Sequence, residues 1–118
     1  SDINFIGPES LISKKFSPSF SEIPKDFLVG RDILFILRIQ KERFKDDDNL
    51  DETKFIEKFQ VNEEFIKYTG FNGYLMHPGP MNIGAEITRN IANGKNSLVL
   101  KQVENGLYLR TALLSLML

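Results

Sequence analysis

The chain has 118 residues, 16 acidic and 15 basic, with a formal net charge of -1. This is one domain's worth of core, with no charge excess to draw nucleic acid or an anionic membrane surface. It has no cysteine and one histidine, which excludes a disulfide framework, thiolate metal sites and any site built from several histidines.

Ser1-Asp2-Ile3-Asn4 lacks the basic and apolar stretches of a secretory leader, and no apolar run reaches the ~18 residues of a membrane span. With the missing cysteines, this reads as a cytoplasmic protein. Ile3-Asn4-Phe5-Ile6 is short and apolar and stops at Gly7-Pro8, a strand followed by a turn. Residues 10–21, rich in Ser, Lys, Phe and Pro, form either a short helix with a loop or a mobile connection. Pro24 fits the first turn of a helix capped by Ser21 or Glu22 and closed by Gly30.

Ile33-Leu34-Phe35-Ile36-Leu37 is apolar at every position, the pattern of a strand covered on both faces. Charge arrives directly after it, in Arg38-Ile39-Gln40-Lys41-Glu42-Arg43. Polar residues there sit where open α/β sheets bind ligands. Residues 45–51, with Asp46-Asp47-Asp48, read as a solvated loop. Residues 52–59 place Phe55, Ile56 and Phe59 at helical spacing. Asn62 caps a second helix carrying Phe65, Ile66 and Tyr68, which Gly70 ends. Gly73-Tyr74-Leu75-Met76 is another short buried strand, running into His77-Pro78-Gly79-Pro80, whose prolines forbid further ladder pairing. Ser97 opens the last element, one long helix with an apolar stripe from Leu98 to Met117 interrupted at Gly106. Strands alternating with helices predict an α/β layer with a parallel sheet flanked by helices. The organisation expected is an α/β domain over 1–96, followed by a C-terminal helix over 97–118.

Three constellations can carry chemistry. Arg38 and Gln40 place a planar guanidinium fork and a neutral amide two residues apart at a strand end, suited to one carboxylate; the alternative is a solvated, self-paired charge cluster. His77-Pro78-Gly79-Pro80-Met81-Asn82 fixes its backbone with two prolines, and His77-Pro78 or Gly79-Pro80 is a candidate cis bond. Such a loop points carbonyl oxygens at fixed positions, as binding an amide NH2 requires; the alternative is a rigid turn with a hydrogen-bonded histidine. Gln102, Asn105 and Arg110 are ordinary helix polars when taken alone. A glycine inside a helix costs about 1 kcal/mol relative to alanine, so Gly106 is expected to permit close approach of another backbone.

In this order, Leu37-Arg38-Ile39-Gln40-Lys41-Glu42-Arg43, Met76-His77-Pro78-Gly79-Pro80-Met81-Asn82, and Gln102-Val103-Glu104-Asn105-Gly106 with Arg110 resemble the aspartate carbamoyltransferases. Phe5-Ile6-Gly7-Pro8-Glu9-Ser10-Leu11 resembles that family's opening strand and turn, so the likeness runs along essentially the whole chain. The related ornithine enzymes carry a cysteine directly after the histidine; Pro78 stands there, which favours the aspartate branch.

The resemblance implies a Rossmann-like aspartate-binding lobe whose enzyme transfers the carbamoyl group of carbamoyl phosphate to L-aspartate in pyrimidine synthesis. No cofactor or metal is implied, and the complete chain is expected to form a homotrimer. Arg38 and Gln40 match the positions that hold aspartate's carboxylates. Pro78 and Gly79 match the backbone that accepts from the carbamoyl NH2. Pro80 matches the proline whose cis bond shapes the loop, and His77 takes a supporting role. The family commonly has an arginine where this chain has Ile83. Neither the Ser-Thr-Arg-Thr-Arg phosphate-binding motif nor the His-Ser-Arg-Val segment occurs here. The chain is therefore expected to be part of one roughly two to three times longer, inactive alone, with its last helix facing a missing carbamoyl-phosphate lobe. The competing expectations are a non-catalytic assembly domain and a carbamoyltransferase for another amino acid.

Overall fold

The computed structural model describes residues 3–12, 15, 19–46 and 51–118. Expectations resting on 13–14, on 16–18 and on the acidic loop at 47–50 lie outside the described residues. Strands β1 (Phe5–Ile6) and β2 (Ser19–Phe20) pair in parallel, as do β3 (Ile33–Phe35) and β4 (Tyr74–Met76), giving two two-stranded sheets. Helices follow as α1 (Glu42–Asp46), α2 (Glu52–Phe59), α3 (Glu63–Thr69), α4 (Arg89–Ala92) and α5 (Val99–Met117). Lys45 and Asp46 therefore end a helix rather than begin a loop.

Local chemistry accounts for several of these boundaries. Asp51 caps α2 by accepting from the Thr53 and Lys54 amides at 2.8 and 3.2 Å. Asn62 caps α3 by accepting from the Phe65 amide at 2.8 Å, and Gly70 closes it in the left-handed conformation, φ 69°. Such caps satisfy amides and carbonyls that a helix end leaves unpaired. Where β4 begins, Gly73 lets the chain pass against the entry to β3. A Cβ there would collide with the Asp32 carbonyl oxygen and lie 2.6 Å from that of Arg31.

The core gathers Leu28, Ile36, Val61, Phe71, Leu75, Ile87 and Ala92. Three polar residues are buried with it: Thr69, His77 and Glu86. Thr69 is satisfied by donating its hydroxyl to the Phe65 carbonyl at 2.7 Å. The other two belong to the site described below.

Besides the helix end at 45–46, three expectations are corrected. Residues 24–30 form successive turns and no helix. Asp26 takes φ 58°, and the Asp26 and Leu28 amides donate to Tyr68 O and Thr69 O at the end of α3, at 2.8 and 2.9 Å. Tertiary partners have taken the donors a local helix would use. Ile33–Leu37 is covered on one face only. Leu34 and Ile36 turn inward, while Ile33, Phe35 and Leu37 are 56%, 50% and 67% exposed; the alternation of a strand puts them on a face that no described element covers. The stripe on α5, on the helix expected to face a missing lobe, is bare: Val99 is the buried residue of this helix, and Leu100, Val103, Leu107, Leu109, Leu113 and Leu114 are exposed. At Gly106 an added Cβ would meet only the Arg110 guanidinium, at 3.4 Å, so no second backbone approaches it among the described residues.

Candidate functional site

Strands β3 and β4 run parallel with Phe35 opposite Met76, and the Ile36 amide extends the ladder by donating to Met76 O at 2.8 Å. Their chains thus leave the sheet at the same edge. Arg38 and Gly79 each lie three residues beyond that last aligned pair. Neighbouring strands sit ~4.8 Å apart, so the two exit segments emerge side by side.

One side chain ties them together. Asn82 Nδ2 donates to the Ile39 carbonyl at 2.7 Å, joining the segment after β4 to the centre of Arg38-Ile39-Gln40. Gln102, in the first turn of α5, adds a third element by accepting from the His77 amide at 2.9 Å.

Within the loop, Gly79-Pro80 is a cis peptide and Gly79 has φ 68°. His77 is buried, and its Nδ1 accepts from the Gly79 amide at 2.8 Å. An amide N–H can only donate, so Nδ1 is unprotonated and the ring proton sits on Nε2. Nε2 then donates to Glu86 Oε1 at 2.9 Å. The same oxygen accepts from the Asn82 amide at 2.8 Å. Among the described residues, the Pro78 and Gly79 carbonyls accept no hydrogen bond.

The Arg38 guanidinium is exposed and, among the described residues, has neither a carboxylate nor a hydrogen-bond partner. Gln40 is engaged instead: its Oε1 accepts from Arg43 Nε at 2.7 Å, which leaves its Nε2 amide hydrogens as the unused part of the group among the described residues. Lys41 leans toward Glu52 at 3.9 Å. Ile83, where the resemblance has an arginine, is 39% exposed.

The arrangement offers a free cation and, on the neighbouring segment, carbonyl oxygens on a stiffened loop that are unpartnered among the described residues. A cation attracts a carboxylate and free carbonyls attract an amide NH2, so the two segments together suit a ligand carrying both. Sequence reading singled out His77 but missed its partner Glu86, and it quoted Asn82 without a role. A signal was present: Glu86 is the lone charge among Gly84-Ala85-Glu86-Ile87, and Ala85 and Ile87 are both buried.

Residues 8–117 match the family model described as aspartate/ornithine carbamoyltransferase, Asp/Orn binding domain. The aspartate carbamoyltransferase catalytic subunit of Legionella pneumophila (strain Corby) is 42% identical over 87 residues, covering 74% of this chain and 29% of that protein. Its counterpart in strain Lens is also 42% identical over 87 residues, with the same coverage of 74% and 29%. The chain thus spans less than a third of the length of these curated relatives. Among solved structures, ornithine carbamoyltransferase from Pyrococcus furiosus matches with a TM-score of 0.55 and 26% identity, over 71% of this chain and 26% of that one. The fold is also that of aspartate transcarbamoylase from Trypanosoma cruzi in complex with carbamoyl phosphate. There the TM-score is 0.64 and the identity 22%, over 81% of this chain and 29% of that one.

Proposed function

Because the chain belongs to the aspartate/ornithine carbamoyltransferase family, as an Asp/Orn-binding domain, we propose that it supplies the amino-acid half of an aspartate carbamoyltransferase active site. The observation that carries this reading is the 2.7 Å bond from Asn82 to Ile39 O. It holds a free guanidinium and two free carbonyls on adjoining segments.

In this reading Arg38 binds a carboxylate of L-aspartate through its planar fork. Gln40 donates its side-chain amide to the same ligand while its oxygen stays on Arg43. Pro78 and Gly79 accept from the carbamoyl NH2, Pro80 shapes the loop, and His77 supports it from within. The aspartate amino nitrogen attacks the carbamoyl carbon; a C–N bond forms, the C–O bond to phosphate breaks, phosphate leaves, and the nitrogen loses a proton. Catalysis of this kind rests on placement and on stabilising developing charge. No metal or other cofactor has a role in the proposal.

The cations for carbamoyl phosphate belong to another lobe. We assign 1–96 to the partial aspartate-binding domain and 97–118 to a helix that packs toward that lobe. The complete enzyme is proposed to be a cytoplasmic homotrimer of pyrimidine synthesis, and the 118 residues alone to be inactive. No helix among the described residues is long and apolar enough to cross a membrane.

The test is calorimetric titration of the longer polypeptide with a bisubstrate analogue joining a phosphonate to the aspartate skeleton. Tight binding supports the enzyme. Its absence supports the second reading, a non-catalytic assembly domain, which Ile83 favours by replacing an expected cation with a half-exposed apolar side chain. Tighter binding of an analogue with a cationic side chain would point instead to a carbamoyltransferase for another amino acid.

A further inference from the structure

The Glu86 carboxylate is 1% exposed and holds two donors on a single oxygen, His77 Nε2 at 2.9 Å and the Asn82 amide at 2.8 Å. Its other oxygen is buried and has no partner among the described residues. Burial strips water from both oxygens and the fold compensates only one, so this is a poor arrangement for stability alone. It is a good arrangement for setting shape. With an acceptor at Nε2, His77 keeps its proton there and leaves Nδ1 to take the Gly79 amide at 2.8 Å. That draws the Gly79 N–H inward beside the unpartnered Pro78 and Gly79 carbonyls. Through the Asn82 amide, the same oxygen fixes the residue whose side chain grips Ile39 O at 2.7 Å.

We propose that Glu86 is a positioning residue for this site. It holds both ends of the 77–82 loop on one oxygen and thereby sets the carbonyls of Pro78 and Gly79 against the Arg38 segment. Its link to ligand binding rests on the functional reading above; its hold on His77 and Asn82 does not.

His77 is the one histidine in the sequence, so a two-bond 1H–15N spectrum of the 118-residue chain contains one imidazole. The wild type is expected to show the Nε2–H tautomer with a slowly exchanging Nε2 proton. Glu86→Gln keeps volume and an acceptor oxygen: the tautomer and the Gly79 and Asn82 amide signals persist, while the Nε2 proton moves upfield because its acceptor has lost its charge. Glu86→Ala speeds exchange of that proton about tenfold or more and shifts both amides. An Nδ1-protonated His77, or an Nε2 proton indifferent to both substitutions, overturns the proposal. Should the alanine variant not fold, the presence or absence of the upfield shift in Glu86→Gln decides alone.

N-carbamoyl-L-aspartate is then titrated as the probe into the longer polypeptide, following the Gly79 amide. Binding by wild type and Glu86→Gln that is about tenfold or more weaker in Glu86→Ala supports the positioning role; equal affinity in Glu86→Ala overturns it. No displacement in wild type sinks the functional reading, while the imidazole spectra still decide what Glu86 holds.

Discussion

On the proposed function, ligand recognition turns on Arg38, the exposed cation of the segment after β3 that is unpartnered among the described residues. Arg38→Ala in the longer polypeptide is expected to raise KM for aspartate roughly 10- to 100-fold, the worth of a charge-assisted hydrogen bond or a bidentate pair. Arg38→Lys should recover only part of this, since a point charge does not reproduce the fork; steady-state kinetics checks both. Gly73 is a second sensitive point for a steric reason. A methyl group would enter space held by the Asp32 and Arg31 carbonyls, so Gly73→Ala is expected to cost about 1–3 kcal/mol, read as a lower denaturation midpoint. The sequence made Arg38, His77 and the proline loop visible because their residue types are unusual where they fall. Glu86 was less visible: its lone charge between apolar neighbours hints at burial, but nothing local names His77 as its partner.

Helices with their own caps form where the pattern places them. Residues 52–59 are legible from helical spacing alone, and the Asn62-to-Gly70 helix because periodicity, N-cap and C-cap agree. Asn62→Ala removes the acceptor for the Phe65 amide and is expected to cost about 1 kcal/mol, measured by thermal or denaturant unfolding; Asn62→Asp should retain most of the stability. The turns at 24–30 were not legible. Their amides are claimed by the far end of α3, a partner some forty residues away in sequence that no local window contains. Strand β1 falls inside the strand read at Ile3-Asn4-Phe5-Ile6, whereas β2, two residues long, is too short for alternation to register.

The molecule as a whole is open. Its accessible surface of 8879 Å² exceeds the roughly 6500 Å² of a compact monomer this size. Its radius of gyration of 15.9 Å likewise exceeds the ~13.5 Å such a domain has. Among the described residues, the bare face of β3 and the length of α5 expose large apolar side chains. The isolated chain is therefore expected to associate with rising concentration in sedimentation velocity. Leu107→Lys with Leu114→Glu should suppress that association while shifting stability by no more than about 0.5 kcal/mol per site, because both side chains are exposed. Sequence reading placed the stripe on a helix expected to face a missing lobe; it misjudged β3 instead, since an apolar pattern says which residues want cover and not whether cover is at hand. Helix α5 has a consequence of its own. It is a 19-residue rod, ~28 Å long at 1.5 Å per residue, and near its first turn it is pinned to the His77 backbone through Gln102. A body that grasps the greasy far end therefore works a lever whose fulcrum is the proline loop, so a swing of the rod is felt where the carbonyls are aimed.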